Sequence, residues 1–210
     1  MLNIYVNTCK DYAHLVPSFT RLFNKFLPGR EFTVFGEDKM QMYSDQMIQF
    51  FEKLEDDHFI WMHEEFFLKS PVKQTLLAKA EGYIQKHPEV ARIGLQSLYD
   101  GYENAVEPYE DGFYKLNPRH QYIFSFEASI WKKEELLKHM RMGEGVQRSE
   151  TNTCTRAAIE EPLVLLTKDK VMDYKDAYRG GELRAKIEND KLLIMTQGPD
   201  GSGLWIEQNI

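Results

Sequence analysis

His58-Phe59-Ile60-Trp61-Met62-His63-Glu64-Glu65-Phe66-Phe67-Leu68 is the stretch on which the reading of this chain turns. Phe59 to Met62 form an unbroken apolar run, which suits a strand buried on both faces of a parallel sheet. The run ends in two adjacent carboxylates, and aromatic residues follow at once. Carboxylates at the end of a buried strand are costly unless they are paired or hold a metal. In open α/β sheets, strand ends are also where ligands sit. Glu64 and Glu65 point to opposite faces if the strand continues, and reach one ligand only if the chain turns there. Hard cations such as Mn²⁺ and Mg²⁺ take oxygen ligands and bridge carboxylates to phosphates. A metal site and a solvated strand end are the two readings of this pair. A zinc motif of the HExxH type is excluded, because Phe67 stands where its second His belongs.

Upstream, Leu2 to Val6 reads as a first strand rather than a signal peptide, and Asn7-Thr8-Cys9-Lys10-Asp11 as a polar turn. Leu15, Phe19, Leu22, Phe23 and Phe26 mark one face of an amphipathic helix that ends near Pro28-Gly29. Phe32 to Phe35 is a second strand closed by Gly36. Ser44 is the expected cap of a helix carrying Met47, Ile48, Phe51 and Leu54. Downstream, Ser70-Pro71 opens a helix with Val72, Leu76, Leu77, Ala80 and Ile84 inward, and Val90 to Leu95 is a further strand. This alternation predicts a mainly parallel sheet with helices on both faces.

Tyr99 to His120 lacks periodicity and reads as a long loop. Its Tyr99, Tyr102, Tyr109, Phe113 and Tyr114 form either an aromatic lid over a ligand or a set of loop anchors. Tyr122 to Ile130 has strand character, with Glu127 interrupting it, and Lys132 to Met142 is helical. Gly143 to Arg156 reads as a polar loop, and Ala157 to Leu166 as a segment containing a helix. Leu192 to Thr196 and Leu204 to Glu207 flank a turn-rich stretch and predict a small antiparallel unit.

The chain has 210 residues, 42% hydrophobic and 13% aromatic, enough for one substantial core. Its formal net charge of -7 argues against broad binding to nucleic acid or anionic membranes. Lys132, Lys133, Lys138, His139, Arg141 and Arg148 form a local basic group, either a solvated helix face or a contact for nucleic acid. Cys9 and Cys154 are the two cysteines, and neither lies in a CxxC pair. That disfavours a disulfide framework and a structural zinc site, and makes the cytoplasm the expected compartment. No apolar window is long enough for a membrane span.

Several segments, in order, resemble small bacterial and phage glycosyltransferase-like proteins of GT-A type. They are Asn7-Thr8-Cys9-Lys10-Asp11-Tyr12, Met62 to Leu68, Phe126 to Leu136 with its Ile130-Trp131 pair, Glu150, and Tyr174 to Gly181 ending Tyr178-Arg179-Gly180-Gly181. The resemblance runs from Asn3 to about Lys186. It implies a GT-A-like (Rossmann-like) mainly parallel sheet flanked by helices, with a small antiparallel C-terminal element. A single domain over 1–210 is expected: 1–95 the nucleotide-sugar-binding half, 96–186 the acceptor-side half, and 187–210 a C-terminal hairpin.

The activity implied by that resemblance is transfer of a sugar from a nucleotide-diphosphate sugar to a hydroxyl acceptor. The nucleotide would lie near Thr8, Asp11 and Tyr12, and the diphosphate at Glu64 and Glu65 with Mn²⁺ or Mg²⁺. Arg156 or Arg179 would offset diphosphate charge, and Glu150 would be the base in an inverting reaction. The sequence departs from the pattern at two places. Glu65 replaces the usual Asp, and Gln147-Arg148-Ser149 precede Glu150 without the usual aromatic residue. These departures motivate one alternative, an inactive binding or assembly protein on the same fold; the basic group near Lys132 motivates another, a transferase acting on modified DNA.

Overall fold

The computed structural model describes residues 1–9, 11–36, 41–97, 101–179, 182–189, 191–197 and 203–208. The chain opens with β1 (Ile4–Asn7), α1 (Val16–Phe26), β2 (Thr33–Phe35), α2 (Tyr43–Glu52) and β3 (His58–His63). A short β4 (Phe66–Leu68), α3 (Gln74–Lys86) and β5 (Val90–Ser97) follow. The middle of the chain contributes β6 (Val106–Pro108), β7 (Phe113–Leu116), β8 (Ser129–Lys132), α4 (Lys133–His139), α5 (Val146–Glu160) and β9 (Leu163–Thr167). The last part holds β10 (Tyr174–Asp176), β11 (Tyr178–Arg179), β12 (Glu182–Leu183), β13 (Ala185–Glu188), β14 (Lys191–Gln197) and β15 (Gly203–Gln208).

The central sheet runs in the order β2-β1-β3-β8-β5-β9-β7-β6. β1 is parallel to β2 and β3, and β5 is parallel to β9. β8 lies antiparallel between β3 and β5, so β1, β2, β3, β5 and β9 share one direction. β3 is buried on both faces, as its apolar run requires. Ile60 and Met62 join Phe19, Phe23, Leu77 and Ile84 of α1 and α3 on one side. Phe59 and Trp61 join Met47, Phe51, Trp131 and Leu136 on the other. The alternation of strand side chains thus feeds two hydrophobic layers from one continuous apolar segment. Among the described residues no helix is long and apolar enough to cross a membrane.

Four sequence expectations need correction, the first being Tyr122 to Ile130, of which only Ser129 and Ile130 lie in a strand, β8. Tyr99 to His120 is not one loop: β6 and β7 arise within it and extend the central sheet beyond β9. Phe113 and Leu116 face inward at the two ends of β7 while Tyr114 and Lys115 are half-buried, so no two-residue alternation marks the strand. Phe113 packs on Tyr83 and Tyr102 is buried, so neither serves as a surface lid, and Tyr99 lies outside the described residues.

Gly143 to Arg156 is mostly helix, and the helix expected after Ala157 is its last turn. The buried face of α5 is Ser149, Thr153, Cys154 and Ala157, helically spaced but too small and polar to show as an apolar stripe. Ser44 does not cap α2. It sits inside the helix, buried, and its hydroxyl accepts the Glu144 amide at 2.9 Å. The expected C-terminal antiparallel unit is present as β14 paired with β15, with β13 added on the other edge of β14.

Candidate active site

The chain turns at Glu64 and Glu65, between β3 and β4. That resolves the choice left open by strand geometry. The Glu64 amide donates to the Asn7 carbonyl (3.1 Å), which continues the parallel register of β1 and β3 into the turn. The Thr8 hydroxyl donates to Glu64 Oε1 (3.0 Å), and the Cys9 amide reaches the same oxygen (3.4 Å). Glu64 therefore ties the ends of two neighbouring strands together. The Glu65 carbonyl accepts the amides of Phe67 (3.0 Å) and Ala177 (2.7 Å). β10 pairs antiparallel with β4, opposing Asp176 to Phe66, so a late segment lies beside the acidic turn.

Charge accumulates here. Burial pushes the Glu64 carboxyl up to about 7, against the hydrogen bonds from Thr8 and Cys9. Burial pushes Glu65 up to about 8, with the charges of Asp176 and Glu64 adding to it. Among the described residues neither Glu64 nor Glu65 forms an ion pair. The Tyr43 phenol is pushed well above its ordinary value, by burial first and then by Glu150, Glu64 and Glu65. Its hydroxyl is buried and has no hydrogen-bond partner among the described residues. His63 is buried among Tyr43, Trp61 and Phe66, and burial lowers it to about 4. It is a neutral core ring.

The donor set fits a hard cation in chemistry. Glu64, Glu65 and Asp176 are oxygen donors in one another's field, and the buried Tyr43 hydroxyl lacks a partner among the described residues. Yet no three His, Cys, Asp or Glu side chains of the described residues converge to hold a metal. Protein side chains of the described residues therefore do not by themselves cage a cation here; one held at this turn would need ligands from water or a bound phosphate.

The predicted residues divide into two groups. Thr8, Glu64 and Glu65 come together. Tyr12 joins them: its phenol is raised by burial and then by the Glu65 charge, and its ring lies 5.1 Å from that of Tyr178. Asp11 is exposed on the same turn, where its carbonyl meets His14 Nδ1 (2.9 Å). Glu150 reaches the field through Tyr43, while its Oε1 accepts the Phe126 amide (2.8 Å).

Arg156 is a correction. It is bound to both oxygens of Glu144 (2.9 Å each) and donates to the His139 carbonyl, so it braces α5 against the chain before it. Arg179 lies in β11, but its side chain, with Lys10, Gly180 and Gly181, is outside the described residues.

Sequence reasoning did not assign Asp176 or Arg92 to the site. The signal for Asp176 lay within the Tyr174 to Gly181 segment. The signal for Arg92 was a lone cation inside an apolar strand. A cleft of about 330 Å³ beside the acidic turn is bounded by Gln96, Glu127, Lys170, Tyr174 and Asp176. The basic group after β8 is largely engaged. Lys132 and Lys133 donate to the carbonyls of Pro88 and Leu54 (2.8 and 2.7 Å), Lys138 pairs with Glu160, and Arg141 bonds the Lys138 and Met140 carbonyls.

No family model and no curated protein matches this sequence. Solved structures do resemble its fold. One is the mannosyltransferase PcManGT from Pyrobaculum calidifontis, in complex with GDP-Man and Mn²⁺: TM-score 0.52, 14% identity, 86% of this chain covered. The chain has a GT-A-like fold. The match spans 58% of the length of that mannosyltransferase. Weaker likenesses include A197 from STIV, with TM-score 0.48, 11% identity and coverage of 100% and 95% of the two chains. A UDP-glucose pyrophosphorylase gives TM-score 0.44 and 10% identity over 83% of this chain and 76% of its own.

Proposed function

We propose that this chain transfers a sugar from a nucleotide-diphosphate sugar to a hydroxyl acceptor, assisted by Mn²⁺ or Mg²⁺. The observation that carries this reading is the acidic pair at the turn after β3, Glu64 buried and Glu65 half-buried, which has no paired cation among the described residues and whose charges act on the buried Tyr43 hydroxyl, itself without a hydrogen-bond partner among them. Such a pair is costly in a protein that leaves it empty. It lies at the C-terminal ends of parallel strands, where α/β sheets bind ligands. A fold neighbour solved with GDP-Man and Mn²⁺ supports the donor class.

In this reading the nucleotide lies over the end of β1 near Thr8, Asp11 and Tyr12. Residues 1–95 form the donor half, 96–186 the acceptor half, and 187–210 a C-terminal hairpin. Glu65 and Asp176 hold the cation, and Glu64 shapes the turn while contributing charge. Such a cation offsets negative charge on the departing diphosphate. Arg179 is the candidate cation from β11. The acceptor hydroxyl is met by a carboxylate from the Glu127 and Glu150 region.

Calorimetric titration with UDP, GDP, UDP-glucose and GDP-mannose, with and without Mn²⁺, tests this. Metal-dependent binding that weakens at least about tenfold in Glu65→Gln is the expected result, the loss of one charged ligand contact. No binding to any of the four would overturn it. The engagement of Glu64 by Thr8, with Glu65 in place of Asp, favours one further reading: a donor-binding protein that does not turn over. That reading predicts tight binding with no nucleoside diphosphate released.

A further inference from the structure

Glu127 stands just before β8 and borders the cleft that also holds Asp176. Its two carboxylate oxygens are in different situations. Oε2 accepts the Tyr102 hydroxyl (2.7 Å) and the Ser125 hydroxyl (3.1 Å), and lies 3.7 Å from Arg92 Nη2. Oε1 accepts no hydrogen bond among the described residues, and the side chain is about one-third exposed (32%). One oxygen is fixed, and the other is left for a ligand.

Arg92 is what fixes it. Arg92 is 0% exposed, and a fully buried guanidinium is costly compared with an apolar side chain of similar size. Its Nε donates to the Ser129 hydroxyl (2.9 Å), Nη1 to the Ile123 carbonyl (3.2 Å) and Nη2 to the Ser125 hydroxyl (3.0 Å). The Ser125 hydroxyl in turn donates a hydrogen bond to Glu127 Oε2, and that of Ser129 to the Glu127 carbonyl (2.8 Å). The arginine thus grips Glu127 through two serines, one at the side chain and one at the backbone. Glu150 is placed differently: it does not line this cleft, and its Oε1 accepts the amide of Phe126, the residue before Glu127.

We propose that Glu127 is the catalytic carboxylate on the acceptor side, held by Arg92, Ser125 and Tyr102, and that Glu150 is a positioning residue. This rests on the glycosyl-transfer reading above. Glu127 Oε1 takes the proton of the acceptor hydroxyl. The acceptor oxygen forms its bond to the anomeric carbon, and the bond from that carbon to the diphosphate oxygen breaks. The electron pair leaves with the nucleoside diphosphate, so the step needs no further reactant.

The test compares wild type, Glu127→Gln, Glu150→Gln and Tyr102→Phe, each with UDP-glucose or GDP-mannose and Mn²⁺. Donor affinity is read by calorimetry, and turnover by release of UDP or GDP as the sugar passes to water or to a panel of sugar acceptors. Glu127→Gln should bind donor as wild type does and lose about 100-fold or more in kcat, the usual worth of a positioned acid or base. Glu150→Gln should lose less than about tenfold. Tyr102→Phe should lower kcat about tenfold with donor affinity unchanged, a split that general loosening of the fold would not give.

Glu127→Gln turnover within about threefold of wild type, or a larger loss in Glu150→Gln with binding intact, overturns the assignment and leaves the donor reading standing. Donor binding by wild type without any nucleoside diphosphate release also overturns it. Absence of donor binding removes the parent reading instead. If Glu127→Gln shows no folding transition, Tyr102→Phe decides, and an unchanged kcat there overturns the proposal.

Discussion

At the scale of the residue, Glu64 and Glu65 carry opposing demands. The site calls for their charge, and burial opposes it, with carboxyls raised from 4.5 to about 7 and about 8. In the unfolded chain both lose their protons near the ordinary value; in the folded chain they hold them longer. Between those values the native state binds more protons, so the contribution of this pair to stability falls as pH rises. It is fully present below the unfolded value and is lost as pH climbs through about 7 to 8. The melting temperature of the metal-free protein should therefore drop across this window. Glu65→Gln, neutral at every pH, should reduce that drop, and so should added Mn²⁺ in the wild type. Differential scanning fluorimetry at stepped pH reads this directly. An unchanged slope in the variant would mean that Glu65 is not desolvated at this turn.

At the scale of the element, two local devices position the site and can be broken separately. Gly36 closes β2 with φ +97°, and a Cβ there would stand 2.3 Å from Asn7 Nδ2 and 2.5 Å from the Thr8 carbonyl. Gly36→Ala should destabilise the protein by about 2 kcal/mol or more and disturb the Thr8 turn, seen as a lower melting temperature with weaker donor binding. Arg156→Ala removes the two hydrogen bonds that tie α5 to Glu144. It should cost about 1.5–3 kcal/mol of stability in urea unfolding and leave donor affinity unchanged. A loss of donor binding would return Arg156 to the site.

These elements also show how much was legible. Strands with apolar runs or helices with large apolar faces, such as β3 and α1, are readable because burial selects the side chain itself. α5 was hidden because its neighbours come close and leave room only for Ser, Thr, Cys and Ala. β7 was hidden because burial at its ends alone breaks the two-residue rhythm. The candidate site was legible in part: Glu64 and Glu65 follow from a strand end, whereas Thr8 and Arg156 came from the resemblance alone, and the bond of Arg156 to Glu144 could not be read from the sequence.

At the scale of the whole molecule, sheet order does the assembling. β8 returns antiparallel between β3 and β5 and sets Glu127 beside the cleft, and β10 crosses back to β4 and delivers Asp176 to the acidic turn. The net charge of -7 is distributed so that much of the basic group after β8 is spent on carbonyls and on Glu160. Duplex DNA should therefore not be retarded by this protein in a gel-shift titration even at low salt, where phosphate contacts are strongest. Salt-sensitive retardation would restore the modified-DNA acceptor. The sequence by itself determined the α/β class, the doubly buried β3 and the acidic turn that ends it, because hydrophobic burial and helical or strand periodicity are local and leave their mark residue by residue. Only the tertiary structure decided which carboxylates meet, which arginine is already spent and which oxygen of Glu127 stays open. Those depend on contacts between residues tens of positions apart, brought together by strand pairing that no local pattern encodes.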